Sequence, residues 1–185
     1  MKIEILLNRV TYFGDPFIRC TLDENAPFFD GPSQDTISVD LRLSPGYHEL
    51  VITHFHKKDS DHVLDNNGNI LIDKHVEIIG ISIDDIAFTV DELREGQFYP
   101  VYNRKYYDQC ISRGVILPLS ISPNLYLGHN GTWKISFNYP FVEYIMNKRK
   151  GSGVNLQNSI YQSDVELLQR AKEWFTNAPD IIWKD

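Results

Sequence analysis

The sequence has few cysteines, no strongly basic segment and no long hydrophobic run, and each shortage excludes a class of protein. It contains two cysteines, Cys20 and Cys110, in 185 residues. Two thiols are too few for a disulfide framework and neither lies at a metal-binding spacing, so we expect both to be buried and reduced. The net charge is −7 and the basic run Lys148–Lys150 is short. This argues against nucleic acid as a partner, because such binding needs clustered Lys and Arg.

No stretch approaches the ~20 apolar residues that span a bilayer, so no membrane partner is expected. The first ten residues contain Glu4 and Asn8 and lack the apolar core and cleavage site of a signal peptide. We therefore expect the protein to fold in a cytosol. What the sequence does contain is apolar material: 42% of the residues are hydrophobic and 12% are aromatic, which is enough for the core of one principal domain.

The region from residue 36 to residue 84 carries the clearest secondary-structure signal. Thr36–Leu43 alternates apolar and polar residues with a period of two, as a half-buried strand does. Ser44–Gly46 predicts a tight turn and Tyr47–His56 a returning strand, so we expect these strands to form a β-hairpin. Val76–Ile83 is nearly all apolar on both faces, which predicts a central strand. Gly80 within it predicts a bulge.

Further short strands are predicted on either side of this region, separated by turn residues. They are Lys2–Leu7, Phe17–Leu22, Ile116–Ile121, Leu125–Leu127 and Thr132–Tyr139. Asn130–Gly131 predicts a hairpin turn before the last of them, and the aromatic stretch Gly96–Asp108 is expected to be irregular. Eight or nine strands and no helix before residue 140 predict a mainly β protein, an antiparallel β-sandwich of the jelly-roll or Ig-like kind.

The C-terminal part of the chain departs from the strand pattern. Pro140 and Gly151 bound a predicted short helix, so the β-sandwich domain is expected to cover residues 1–148. Residues 149–162 are predicted to form a linker, and residues 163–185 a C-terminal amphipathic helix and tail. Ser163 and Glu166 form a capping box at the start of that helix. Its apolar stripe is a candidate partner-binding face, with Val165, Leu168, Trp174 and Phe175 as the binding residues.

The acidic turn after residue 56 offers oxygen ligands. Asp59, Asp61 and Asp65 are candidate calcium ligands, because calcium binds 6–8 oxygens. The EF-hand template fails here, since aligning its glycine with Gly68 places Val63 at the first ligand position. An ordinary turn is the alternative, because Asp and Asn are typical of turns for backbone reasons alone. The expected cofactor is therefore none, with calcium kept as an alternative.

The sequence contains no catalytic signature. His54 and His56 share a strand face in the predicted strand, but no partner ligand adjoins them. Asp84 and Asp85 are adjacent and point to opposite faces of a strand, so they do not form a glycosidase pair. Gly-x-Ser-x-Gly, P-loop and Cys–His patterns are all missing from the sequence. We therefore expect the protein not to be an enzyme.

Aromatic side chains crowd between residues 98 and 107, with hydrogen-bonding residues between them. The candidates for glycan or partner binding are Tyr99, Tyr102, Tyr106 and Tyr107. Aromatic faces flanked by polar groups suit a sugar ring, and they suit a protein interface or a core equally well. Core packing, a protein interface and a glycan platform stay open as alternatives.

Two family resemblances add expectations about function. Residues 46–86 are similar to small calcium-dependent carbohydrate-binding modules, in which a strand ends in an acidic loop and the next carries the pattern V-x-I-x-x-I-x-I-D, here Val76–Asp84. Together with residues 124–133 (NLYLGHNGTW) and 141–146 (FVEYIM), most of residues 36–148 also resembles virion-associated proteins of tailed bacteriophages, especially myoviruses. The first resemblance implies calcium at Asp59, Asp61 and Asp65.

The phage resemblance implies a non-enzymatic structural or accessory protein of a phage particle. Such a protein is located in the virion and assembled in the host cytoplasm. It docks on other virion proteins, or on further copies of itself as a homo-oligomer, through the β-sandwich and the C-terminal helix. The alternative function is a carbohydrate-binding module for host-surface glycans, with or without calcium.

Overall fold

The computed structural model describes residues 1–65 and 70–151, which contain twelve strands and three helices. The strands are β1 (Lys2–Arg9), β2 (Phe17–Leu22), β3 (Phe29–Pro32), β4 (Thr36–Asp40), β5 (Gly46–Phe55), β6 (His62–Leu64), β7 (Ile70–Asp73), β8 (Val76–Ile83), β9 (Ile86–Ala87), β10 (Gln97–Val101), β11 (Tyr126–Leu127) and β12 (Asn130–Tyr139). The helices are α1 (Val90–Leu93), α2 (Arg104–Ser112) and α3 (Phe141–Gly151). The prediction of a mainly β protein is confirmed.

Two five-stranded antiparallel sheets form the sandwich, as predicted. In the first sheet, β4, β1 and β8 are neighbours in that order, and β9 and β11 also pair with β8. In the second sheet the order is β3-β2-β5-β12-β10. Strands β6 and β7 pair separately in a two-stranded ladder. Because all twelve strands lie within residues 1–141, they belong to the first of the two compact units into which the chain divides, residues 1–141 and 142–185.

The core consists of the apolar residues that alternate along the strands of both sheets. On β1, Ile3 and Ile5 are fully buried, whereas Lys2 and Glu4, which alternate with them, are partly exposed. On β12, Trp133 is fully buried, and its indole N–H donates to the carbonyl of Asn124 at 2.9 Å. Fully burying one large apolar side chain stabilises the fold by roughly 1.5–3 kcal/mol.

Strand β8 contains the bulge that Gly80 predicts. Its pairing with β1 shifts register, so that Leu6 faces Gly80 while Leu7 faces Ile78. The extra residue, Ile79, points outward and is 54% exposed. Since side chains alternate with a period of two, the bulge allows Val76 and Ile78 before it to face the same core as the isoleucines after it.

The predicted hairpin across Ser44–Gly46 is wrong. Strand β4 pairs with β1 in the first sheet, whereas β5 pairs with β2 and β12 in the second. The Pro-Gly turn therefore carries the chain from one layer to the other. Both strands show the same alternation in either arrangement, so the alternation sets which face is buried and does not identify the partner strand.

Three other local predictions are corrected by the structure. Asn130 and Gly131 lie inside β12, where they pair with Val101 and Pro100, and they do not form a turn. Residues 116–121 form no strand and make a single bridge, between Ile121 and Phe98. Helices α1 and α2 lie in the part of the chain where no helix was expected. The error at residues 116–121 follows from a short apolar run whose conformation depends on distant partners.

His48 and Asp23 fasten the start of β5 to the end of β2. His48 Nδ1 lies 2.9 Å from Asp23 Oδ2, and its Nε2–H donates to the carbonyl of Ser44 at 2.9 Å. Asp23 also accepts the backbone N–H of Glu49 at 2.9 Å. Burial alone lowers the pKa of His48, but the bonds to Asp23 and Ser44 outweigh it and the net shift is upward. His48 therefore favours the charged form, with both ring nitrogens donating.

The short helix after Pro140 is confirmed as α3, which ends at Gly151. Its last turn carries the basic residues Lys148, Arg149 and Lys150, where positive charge interacts favourably with the helix dipole. The predicted linker at 149–162 extends beyond the described residues. The amphipathic helix and tail at 163–185, with Val165, Leu168, Trp174 and Phe175, lie outside them, and the domain boundary at residue 148 stays a prediction.

Candidate functional site

The exposed apolar side chains of the described residues are concentrated in one segment, from β10 through α2 to residue 119. Half of the sixteen large hydrophobic residues exposed in the described part belong to it. They are Tyr99, Val101, Tyr106, Tyr107, Ile111, Val115, Ile116 and Leu119, which we call the α2 surface. Ile116 is 89% and Leu119 91% exposed. Contiguous exposed apolar patches are typical of interaction sites, and these eight residues all lie between residues 99 and 119 of the chain.

Helix α2 is stabilised by local interactions, and few of its residues are buried. The side chain of Asn103 accepts the backbone N–H of Tyr106 at 2.7 Å, which caps the helix. Arg104 and Asp108 form an i,i+4 ion pair at 2.9 Å, exposed to solvent and worth a few tenths of a kcal/mol. Cys110 is the one buried residue of α2. A nine-residue helix is marginal alone, so its remaining faces offer apolar area to a partner.

The predicted tyrosines occupy different parts of this surface. Tyr102 and Tyr106 stack with ring centroids 6.0 Å apart. Tyr102 Oη donates to the carbonyl of Pro118 at 3.0 Å, which ties the 113–121 segment to the start of α2. Tyr107 is 44% and Tyr99 40% exposed. The structure therefore brings two of the four candidates into ring contact and leaves the other two presenting rings to solvent.

His129 completes the aromatic cluster, although it was not among the predicted site residues. Its ring lies 5.1 Å from Tyr102 and 5.4 Å from Tyr106, measured between centroids. Burial lowers the pKa of His129, and the nearby Lys57 ammonium lowers it further. Burial likewise raises the pKa of both tyrosines. At neutral pH the cluster is therefore uncharged, which suits apolar or stacking contacts.

A mostly buried ion pair, formed by Lys57 and Asp73, stabilises the backbone next to His129. Lys57 Nζ donates to Asp73 Oδ1 at 2.5 Å and also to the carbonyl of Gly128. The side chains of Lys57 and Asp73 are each 13% exposed. Tyr126 Oη donates to the second oxygen of Asp73 at 3.1 Å. The pair fixes the backbone on both sides of His129, since Asn130 exchanges hydrogen bonds with the backbone of Lys57 at 2.8 and 2.9 Å.

His54 lies fully buried at the end of β5, beside this network. Its Nδ1–H donates to the carbonyl of His129 at 3.0 Å. Its Nε2 has no hydrogen-bond partner among the described residues. Burial, with Lys57 and Lys74 nearby, lowers the pKa of His54 to about 4. His56, predicted to share a strand face with it, follows the end of β5 at a φ of +62° and is exposed.

The candidate calcium ligands are spread along the loop before β6 and just after it. Asp59 is exposed, whereas Asp61 is buried and accepts the backbone N–H of Lys58 at 3.0 Å. Lys74 Nζ lies 3.6 Å from the same Asp61 oxygen, so a cation already neutralises this carboxylate. In residues 1–65 and 70–151, no three His, Cys, Asp or Glu side chains come close enough to hold a metal. Residues 66–69 of the turn lie outside the described part, and calcium at Asp59, Asp61 and Asp65 stays a prediction.

Both cysteines are buried and unpaired, as expected. Burial raises the pKa of Cys20 to about 12, which keeps its thiol protonated and unreactive at neutral pH. Within the part of the chain that the structure covers, no helix has the length and hydropathy to cross a membrane.

Comparison with known proteins gives this chain no relative: no family model, curated protein or solved structure matches it. The α2 surface and the residues that support it are therefore the features of the molecule that bear on its function.

Proposed function

We propose that this protein is a non-enzymatic structural or accessory subunit that docks on another protein through the α2 surface. The observation that carries the proposal is the concentration of exposed apolar residues between Tyr99 and Leu119. Fully burying one aliphatic side chain contributes roughly 1.5–3 kcal/mol. Ile116 and Leu119 are almost fully exposed, so this free energy becomes available only when a partner covers them.

The environments of the reactive groups support a role without catalysis. The Cys20 thiol is held protonated by burial. His48 is engaged at both ring nitrogens by Asp23 and Ser44. The bonds of His48 fasten the start of β5 to the end of β2, which is a structural task.

We propose further that the assembly is a tailed-phage particle, in line with the resemblance of residues 36–148 to virion-associated proteins. On this proposal, the protein copurifies with particles of the virus that encodes it, at a fixed ratio to their other proteins. Quantitative mass spectrometry of purified particles measures that ratio. Purified particles that lack the protein would contradict the assignment to a virion and leave the docking surface to be tested separately.

The double substitution Ile116→Asp with Leu119→Asp is expected to reduce incorporation into the assembly at least about tenfold, because two charges then enter an apolar contact. The isolated protein should unfold at an unchanged denaturant concentration, since substitutions of fully exposed residues alter stability by about 0.5 kcal/mol or less. The matched control is Ile70→Asp with Leu71→Asp on β7, where the residues are 62% and 65% exposed. Equal incorporation of both double variants would show that the α2 surface is not the contact.

A carbohydrate-binding module is the second candidate function, and the exposed rings of Tyr99 and Tyr107 favour it. Tyr99 Oη donates to Gln97 Oε1 at 2.5 Å, which holds the Tyr99 ring in one orientation. A glycan array screened with and without calcium tests this candidate. Binding that Tyr107→Ala abolishes would support a glycan platform, and a blank array under both conditions would remove it.

A further inference from the structure

The two sheets have several open edges, and these differ in how readily another strand can pair with them. Strand β3 ends in Pro32 and β10 contains Pro100, which lack the N–H that a ladder requires. The backbone of β10 is also engaged by Ile121, whose N–H donates to Phe98 at 2.8 Å. Strands β9 and β11 have two residues each. Among the described strands of these sheets, β4 is the longest edge without a proline.

Hydrogen bonds next to β4 show which of its backbone groups face outward. Met1 and Leu41 exchange bonds of 3.0 and 2.8 Å, and Leu7 donates to the carbonyl of Asp35 at 2.9 Å. The pairing between β1 and β4 contains no bulge. Because bonding alternates along an antiparallel pair, Ile37 and Val39 direct their backbone groups to β1. The N–H and C=O groups of Thr36, Ser38 and Asp40 therefore point to the open edge.

We propose that β4 pairs with β4 of a second copy of this chain, antiparallel and related by a two-fold axis at Ser38. In this register Ser38 faces Ser38 and Thr36 faces Asp40 of the second copy. The three outward residues then exchange about six backbone hydrogen bonds, two at the axis and four at the Thr36–Asp40 pairs. The first sheets of the two copies become one continuous sheet.

The sequence of β4 matches this register on both faces of the sheet. On the outer face, Asp40 lies opposite a threonine hydroxyl, so no like charges oppose each other. On the inner face, Ile37 lies opposite Val39 of the second copy, which extends the apolar row. Ile37 is buried and Val39 half-buried, so pairing covers the remaining exposed part of the valine. Strand β4 has no proline and no inward-pointing charge of the kind by which proteins prevent strand pairing, and its one charged residue, Asp40, is exposed at its end.

The substitution Ser38→Lys tests the proposal, with Ser82→Lys as its matched control. Ser38 and Ser82 face the same residue, Glu4, from the two strands that flank β1. Both variants therefore place a lysine beside Glu4, but only Ser38→Lys places two lysines opposite each other at the proposed axis. Sedimentation equilibrium of the full chain from about 5 μM to about 500 μM should show a monomer–dimer equilibrium for the wild type and for Ser82→Lys. We expect a dissociation constant at least about tenfold higher for Ser38→Lys.

Hydrogen exchange supplies a second measurement that does not depend on a substitution. The amides of Ser38 and Asp40 should exchange more slowly as protein concentration rises, because only dimerisation protects them. The amide of Val39, bonded to β1, should change little. A chain that stays monomeric up to about 500 μM would overturn the proposal. A dimer that Ser38→Lys and Ser82→Lys weaken equally would overturn it as well. Neither result concerns the α2 surface, so the two proposals fail independently.

Discussion

Replacing Lys57 by methionine is expected to lower the free energy of unfolding by about 3–5 kcal/mol. The methionine keeps the length of the side chain and removes the ammonium that bonds Asp73 and the carbonyl of Gly128. The carboxylate of Asp73 then stays 13% exposed, and among residues 1–65 and 70–151 Tyr126 is the side-chain donor that it keeps. Removing one member of a buried ion pair leaves an uncompensated charge, which costs about that amount. Urea denaturation of the two proteins measures the difference.

Two control variants isolate the ion pair. Lys58→Met changes the neighbouring exposed lysine and should alter stability by no more than about 0.5 kcal/mol. The double variant Lys57→Met with Asp73→Leu removes both charges, and we expect it to be more stable than Lys57→Met alone. If Lys57→Met behaved like Lys58→Met, the close contact between Lys57 and Asp73 would not exist in solution.

Acid is expected to destabilise the protein by about 3 kcal/mol through His54 between pH 6.5 and pH 4. The pKa of His54 is lowered to about 4 by its burial and by the nearby Lys57, from an ordinary value of 6.5. As pH falls below 6.5, His54 takes up a proton in the unfolded chain, whereas in the folded chain it stays neutral until about pH 4. One pKa unit corresponds to about 1.4 kcal/mol, so a lowering of this size amounts to about 3 kcal/mol. Free energies of unfolding measured at half-unit pH steps give the curve.

His54→Asn is the informative variant for this titration. Its amide N–H can replace Nδ1–H as the donor to the carbonyl of His129, but it cannot take up a proton. The variant is expected to be less stable at pH 7, because the ring leaves a cavity. Between pH 6.5 and 4 its free energy of unfolding should fall less steeply with pH than that of the wild type. The difference in slope corresponds to about one proton, the one that His54 takes up on unfolding. An unchanged slope would show that another group causes the acid loss.

His48 acts in the opposite direction, so the two histidines bound a pH range of greatest stability. The net pKa shift of His48 is upward because of its bonds to Asp23 and Ser44. Its contribution is fully present below pH 6.5 and is lost as pH rises through its folded pKa. Through these two histidines, stability should therefore decline on both sides of about pH 6.5, through His54 as pH falls and through His48 as pH rises.

Alternation along the chain predicts most strands but not how they pair. Phe17–Leu22 was predicted with the bounds that the structure gives, because its alternation is local. The assignment of β4 and β5 to different sheets depends on β1 and β12, which lie far away in sequence. Helix α2 was missed because its aromatic residues also favour strands. The cap at Asn103 and the Arg104–Asp108 pair were the local signals that identify it.

The candidate site could be predicted only in part, for the same physical reason. The tyrosines stand out by composition alone, so Tyr106 was a candidate binding residue, with core packing left open as an alternative. Ile116 and Leu119 were missed because the predicted strand at 116–121 would half-bury alternate residues. The role of Lys57 and Asp73 could not be predicted, because Lys57 donates a hydrogen bond to Gly128, which is 71 positions away in the sequence. Such contacts are set by the packing of the sheets, and no local pattern records them.

Hydrogen exchange of the protein inside its assembly tests the docking claim most directly. The amides of α2 and of residues 113–119 are compared between the isolated chain and purified particles that contain it, with β7 as the internal control. The account predicts that exchange in α2 and residues 113–119 slows at least about tenfold in the particle, while exchange in β7 is unchanged. Equal exchange of the α2 surface in the two states would contradict the claim that another protein covers it.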